Sequence, residues 1–349
     1  MGGSLLGATR MPKEQFDELM KKFVPELEII LSKVEGLLPD EKIKFTPVPY
    51  YSAKEDFGDL DVLVKANTDV VRDAVIQHFG FTPIKEMKKD PNYSTNHNCF
   101  SFLYDNFQID LICTVADYET SIAYYSFNDV GNILGRFFHK FGLKYGHQGL
   151  IYPLRDERGI RKEILVTKDQ TKILEFLGLN PEKWNKGFTT LEDIFEWVAT
   201  GKYFNPALFD ELSAINEKRD RKRKTFSRFL DWLEETKPKA NQTSFFDKIV
   251  DEYFPNRLVG TIDEFFGSNV RGEVNKFHIE MERENRIKEK YNGEIVMEIT
   301  GLKGQELGAF MNKFKIHDDG SFDDYILETD PELIKQYIKT VFELQKQST

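Results

Sequence analysis

Cysteine is nearly absent: the 349 residues hold two, Cys99 and Cys113, both in apolar, strand-like surroundings. A disulfide framework and a thiolate zinc site are thereby excluded as organising devices, and a reducing compartment is expected. Histidine is scarce too. The six, His78, His97, His139, His147, His278 and His317, form no H-x-x-x-H pair or other metal spacing. There is no P-loop and no G-x-S-x-G, so kinase and serine-hydrolase readings lose their usual supports. No uncharged apolar run approaches about 18 residues, and Met1–Pro12 falls short of the apolar core of a signal peptide. The expectation is a soluble, cytoplasmic protein with no membrane partner. Positive charge is not in excess either: 48 Lys and Arg against 58 Asp and Glu leave −10, so any polyanion must be held by a local basic stripe.

What is present is core-forming material, 40% hydrophobic residues with 30 Phe, enough to exclude a disordered chain and to fill two domains. From Lys13 to Leu38 the apolar residues recur at helical spacing, which predicts an amphipathic helix broken near Pro25. Period two then predicts strands at Lys42–Tyr51, Leu60–Val64, Cys99–Tyr104 and Gln108–Thr114, with a helix over Thr68–Phe79. Helical spacing returns over Phe127–Phe141, and Gly149–Pro153 with Lys162–Val166 reads as an antiparallel pair. Helices are predicted at Asp169–Leu177, Thr190–Ala199, Pro206–Glu234, Ser244–Tyr253, Val270–Lys290, Gln305–Phe314 and Pro331–Gln345. The pattern is α+β followed by a mostly α-helical part: an N-terminal helix over 1–40, an α+β domain over 41–185 and a helical domain over 186–349.

The densest chemistry lies in Tyr50–Lys65. Asp59 and Asp61 are two apart in an otherwise apolar strand, so both carboxylates face one side of the sheet. Two like charges there repel unless a cation lies between them, and an all-oxygen ligand set suits Mg²⁺ or Mn²⁺. The pair alone also fits an edge strand with its polar face in water. Asp110, a single acid inside the hydrophobic strand Gln108–Ile112, argues for a shared site, because an unpaired buried acid is costly. Three acids on neighbouring strands can bridge two divalent ions about 4 Å apart, the arrangement used in nucleotidyl transfer.

Gly58-Asp59-Leu60-Asp61-Val62-Leu63 resembles the G-D-x-D-V-L signature of the DNA polymerase β superfamily of nucleotidyltransferases, and Gln108-Ile109-Asp110-Leu111 resembles its third-carboxylate strand. Ile122–Ser126 with the helix after it is similar to the family X turn and helix that hold the incoming nucleotide. Lys140–Leu150 is similar to the K-G-x-x-x-N-E-Y-G-L run, and Lys168–Gly178 to the E-x-D-I-F-x-x-L-G helix. The likeness spans Lys42 to Trp184. It implies a polymerase-type palm in which Asp59, Asp61 and Asp110 are the catalytic and metal-holding residues for two Mg²⁺ (or Mn²⁺). Asp110 would also accept the proton of a 3′-hydroxyl. Gly58, Tyr124, Tyr125 and Arg136 become candidates for binding the nucleotide, although two core aromatics and a solvated Arg fit the same letters. The family's Gly-Ser pair is missing from Val48–Lys54, where Ser52 and Lys54 are the candidates for the phosphate-binding hydroxyl and charge. Nothing ahead of residue 40 resembles the family's lyase module, so lyase chemistry is not expected.

Lys218, Arg219, Arg221, Lys222, Arg223 and Lys224 form the one dense basic run, either a solvated helix face or a nucleic-acid contact. Gly301-Leu-Lys-Gly-Gln-Glu-Leu-Gly308 faintly resembles a helical-tail segment of CCA-adding tRNA nucleotidyltransferases, and also reads as an ordinary turn before a helix. Asp318–Asp324 reads as a turn. The expected activity is addition of nucleotides from an NTP or dNTP to a DNA or RNA 3′ end. The alternatives are nucleotide transfer to a protein, as by AMPylase-like enzymes, and a nucleic-acid-binding module without catalysis.

Overall fold

A computed structural model of the chain describes residues 8–34, 42–80, 93–96, 98–209, 223–241, 255–314 and 321–347. The chain divides into two compact units, Met1–Val270 and Arg271–Thr349. Their elements combine helices with sheets of mixed direction, an α+β composition.

The first unit is built on a five-stranded sheet in the order β2 (Phe45–Pro47), β4 (Asp59–Val64), β7 (Phe107–Cys113), β6 (Cys99–Tyr104) and β5 (Tyr93–Asn96). Only β4 and β7 run parallel within it. Strict alternation gives the sheet two different faces. Leu60, Val62 and Val64 of β4, with Ile109 and Leu111 of β7 and Phe100 and Phe102 of β6, join one core with helices α1 (Lys13–Leu31) and α2 (Thr68–Phe79). The other parity puts Leu63 and Ile112 under Tyr118, Ile122 and Tyr125 of α3 (Tyr118–Tyr125). That second face also carries Asp59, Asp61 and Asp110.

Helix α1 does not break at Pro25. Phe16, Leu19, Phe23, Leu27 and Ile30 keep one continuous buried stripe across it, while Pro25 itself is exposed, where water can serve the carbonyl whose partner N–H proline lacks. The helix ends at Leu31, seven residues short of the expected Leu38, and residues 35–41 lie outside the described ones. Strand β2 is likewise shorter than Lys42–Tyr51, because Pro47 and Pro49 restrict it to an edge position with few ladder bonds. Helix α2 spans the expected residues: the Asn67 side chain accepts from the Asp69 N–H at 2.9 Å, and Gly80 closes the helix in the left-handed region.

Further along the unit come α4 (Val130–Lys140), the three-stranded sheet β8 (Lys144–Gly146), β9 (Gly149–Asp156) and β10 (Gly159–Thr167), and the helices α5 (Gln170–Phe176), α6 (Pro181–Lys186) and α7 (Leu191–Ala199). The expected continuous helix Pro206–Glu234 is not continuous. A short 3-10 turn at Pro206–Phe209 begins on the Asn205 side chain, and α8 (Lys224–Thr236) starts afresh after Arg223, whose backbone is extended. Arg223 makes an ion pair with Asp129. Residues 210–222 lie outside the described ones, and with them Lys218, Arg219, Arg221 and Lys222; so does the expected helix Ser244–Tyr253. The unit's last helix is α9 (Pro255–Phe266).

In the second unit, α10 (Val270–Lys290), α11 (Gly293–Thr300), α12 (Gly304–Phe314), α13 (Ser321–Glu328) and α14 (Pro331–Gln347) surround Tyr291, Val296, Phe310, Phe314, Ile326 and Ile334. Gly301 caps α11 in the left-handed region and Gly304 opens α12, so the glycine-rich letters there form a turn and a helix start. The acidic run expected as a turn is helical from Ser321 onward: Asp323 and Asp324 occupy the first turn of α13, where the helix dipole favours negative charge. No described helix is long and apolar enough to cross a membrane.

Candidate metal centre

Parallel register sets Asp61 directly opposite Asp110 and Asp59 opposite Gln108. One carboxylate oxygen from each of Asp59, Asp61 and Asp110 lies within 4.8 Å of the others, close enough for a shared cation. The three expected ligands thus converge, on adjacent strands that most of the sheet's hydrophobic residues hold from behind.

Asp110 is 6% exposed and held by its neighbours. The Gln108 amide donates to both of its oxygens, at 2.8 and 3.1 Å, and Ser101, opposite it on β6, also hydrogen-bonds it. Burial raises its carboxyl above the usual range, the charge of Asp59 adds to the rise, and the Ser101 and Gln108 bonds oppose it. Asp61 is pushed up to about 7 by burial first and then by Asp59 and Asp110. Repulsion among these carboxylates favours their protonated forms, and it is charge of the kind a divalent cation can balance. Cys99 lies on the same face, and its thiol is pushed up to about 12 by burial and then by Asp110, so it holds its proton at neutral pH.

The loop ahead of β4 is anchored rather than loose. The N–H groups of Ser52 and Ala53 donate to the carbonyls of Phe188 and Thr189, both at 2.9 Å, and the Pro49 carbonyl accepts from Phe127. Ser52 is exposed, and Gly58 is buried at the join of β3 (Asp56–Phe57) and β4. Lys54 is largely buried, its ammonium 4.6 Å from the centre of the Phe57 ring and 6.0 Å from that of Tyr50. Burial holds its pKa below the ordinary value, opposed first by Asp59 and then by Asp61, so its charge belongs to the acid cluster.

Tyr124 and Tyr125 are not in a turn, as expected, but in the last turn of α3; the reversal follows at Phe127 and Asn128, both in the left-handed region. Their rings meet edge to face at 5.4 Å. Tyr125 is raised by burial, then by Tyr124 and Asp61, and is lowered by Arg223. Its ring packs on the same sheet face as the acids, against Leu63 and Ile112. Gly131 of α4 lets the chain pass close to Tyr124, since a Cβ there would stand 2.3 Å from the Tyr124 carbonyl oxygen. The Arg136 guanidinium lies over Phe226 at 5.6 Å and lines a groove of about 520 Å³ with Tyr124, Asn132, His139, Lys144 and Arg155, a groove whose lining includes none of the three acids. Lys224, exposed, opens α8.

Sequence reasoning missed Gln108 and Ser101 as the hydrogen-bonding partners of Asp110. Period two already placed Gln108 on the face of Asp110; no local signal marked Ser101. No protein-family model matches the chain, and no curated protein matches it.

Proposed function

We propose that the protein is a metal-dependent nucleotidyltransferase of the polymerase β type, transferring a nucleotide from an NTP or dNTP to a nucleic-acid 3′-hydroxyl and releasing pyrophosphate. The observation that carries this reading is the convergence of Asp59, Asp61 and Asp110 within 4.8 Å on two parallel strands. Asp59 and Asp61 would each hold two Mg²⁺ or Mn²⁺ ions, and Asp110 one of them. When bound, such ions acidify the attacking hydroxyl and balance the charge that builds on the leaving pyrophosphate.

The chain's own groups supply the rest. Asp110 Oδ1 or Oδ2, oriented by the Gln108 amide, takes the hydroxyl proton as the new O–P bond forms at the α-phosphorus and the α–β bridging P–O bond breaks. Lys54 sets a positive charge beside the acids, where a polyphosphate would otherwise meet carboxylates alone. The Tyr124 and Tyr125 rings, flanking the acid face, are placed to pack against a sugar or base.

The test is direct. With Mn²⁺ or Mg²⁺, labelled NTPs or dNTPs, and primed DNA, tRNA or a protein acceptor offered separately, label is expected to move to a nucleic-acid 3′ end. Label on protein alone would replace the acceptor class, and no labelled product in any mixture would overturn the reading.

A further inference from the structure

Residues Thr9–Lys13 are tied to the strip that leads into β4 and to the turn that leads into β7. The Thr9 N–H and hydroxyl both donate to the Asn106 carbonyl, at 3.0 and 3.2 Å, on the hairpin that leads into β7. Met11 and Pro12 form a short strand, β1, antiparallel to Phe57 and Asp56, and the Lys13 N–H donates to the Glu55 carbonyl at 2.9 Å. Phe16 then stacks on Phe57 with ring centres 3.7 Å apart and the planes 5° from parallel. The residues from Thr9 to Phe16 thus clamp the Glu55–Phe57 strip from outside.

Between the Thr9 and Met11 anchors stands Arg10. Its Nε donates to Asp56 Oδ2 at 2.5 Å and its Nη2 to the Asp56 carbonyl at 3.5 Å, while its side chain stays 51% exposed. Its charge, together with those of Asp56, Asp59 and Asp61, bears on Lys54. Two cations on two separate pieces of chain thus flank the strip that leads into β4 and its Asp59, Lys54 against the Phe57 and Tyr50 rings and Arg10 held by the half-exposed Asp56 three residues ahead of Asp59. A polyphosphate bound at the acids would carry further negative oxygens, and a guanidinium fork together with a half-buried ammonium is a donor set suited to them.

We propose that Arg10, carried by the N-terminal strand, acts with Lys54 as a two-cation clamp on the polyphosphate of a nucleoside triphosphate bound at the acid site. The proposal rests on the reading of that site given above. Asp56 is the holding partner: it keeps Arg10 in place before the nucleotide arrives and competes with phosphate for its donors. Arg10 contacts the substrate from outside the sheet, and its contribution falls on the β and γ phosphates.

The test is equilibrium binding by titration calorimetry, with the full chain, Mn²⁺ and a triphosphate whose α–β bridge is methylene, so that transfer cannot occur. The matching nucleoside monophosphate serves as the comparison. Arg10→Gln is expected to weaken triphosphate binding by at least about tenfold, the scale of one charge-assisted contact, while changing monophosphate binding by less than about twofold. Asp56→Asn, which frees Arg10 from its competitor, is expected to tighten triphosphate binding. Two outcomes overturn the proposal alone: Arg10→Gln binding the triphosphate as tightly as the parent, or Asp56→Asn weakening it as much as Arg10→Gln, which would make the pair a structural strut. Failure of the parent to bind the triphosphate would overturn this proposal and the nucleotidyl-transfer reading together.

Discussion

Asp110→Asn is expected to lose nucleotidyl transfer by roughly 10³-fold or more, the scale on which removing a group that directly stabilises a transition state registers. Asparagine keeps the volume, and an amide can still meet the Gln108 side chain after that side chain turns over. What disappears is a negative charge for the metal and a base for the hydroxyl proton. The substitution is nearly isosteric in a strand whose seven residues are all buried, so the fold should persist. Circular dichroism and the melting temperature would verify that. The decisive measurement is single-turnover transfer with Mn²⁺. Transfer within about tenfold of the parent would remove Asp110 from the chemistry, since a contact worth less than about 1.4 kcal/mol cannot be the proton acceptor.

Asp61→Asn is expected to do the opposite to stability: in chelator it should melt higher than the parent, and the difference should depend on pH. The sign follows from the direction of the shift. Asp61 is pushed up to about 7 from an ordinary value of 3.8, so between those limits the folded chain holds a proton that the unfolded chain has released. Stability from this group is therefore full below about pH 4, falls as the pH rises towards 7, and is level above that. With aspartate replaced by asparagine the loss does not occur, which makes the variant more stable at pH 8 by on the order of a few kcal/mol, since each unit of pKa displacement corresponds to about 1.4 kcal/mol. Other carboxylates act in the reverse sense. Asp193, held below the usual range by the ammonium of Lys183 and the Thr189 N–H, gains stability as the pH rises through the acid range. The comparison is consequently parent minus variant at each pH, not the parent alone. Adding Mn²⁺ should raise the parent's melting temperature and leave the variant's nearly unmoved. A pH-independent difference, or equal Mn²⁺ shifts in the two, would contradict the repulsion assigned to this cluster.

The acid face was legible in the sequence because a strand's period is fixed by covalent geometry: once Leu60, Val62 and Leu63 mark β4 as buried, Asp59 and Asp61 must share a side. The same rule carried Asp110, although parallel pairing with β4 is a tertiary fact that no local pattern states. What could not be read is whatever depends on short segments meeting distant ones. The strand Met11–Pro12 has no period to detect in two residues, and its register with Asp56 and Phe57 arises from packing of Phe16 on Phe57. Helices α3, α6, α11 and α13, of six to eight residues, hold too few turns for an apolar stripe to stand out. Pro25 misled for the complementary reason: local chemistry argued for a break, and the buried stripe on both sides of it overrode that chemistry.

The parallel pairing of β4 with β7 has a consequence in time as well as in space. Strands β6 and β7 are joined by the two-residue turn Asp105-Asn106, both residues left-handed, and can zip together locally. The β4–β7 pair joins residues about 50 apart, with α2 and that hairpin between them, so its loop-closure entropy must be met before any contact rewards it. The carboxylates are accordingly expected to come together late in folding, after the hairpin and helices exist. A cation that binds only this late arrangement stabilises the native state and not the barrier leading to it, so it slows the unfolding arm of a chevron and leaves the folding arm where it was. In that sense a cation bound at the cluster would act as a latch on the finished sheet, lengthening the lifetime of the native chain without helping to make it.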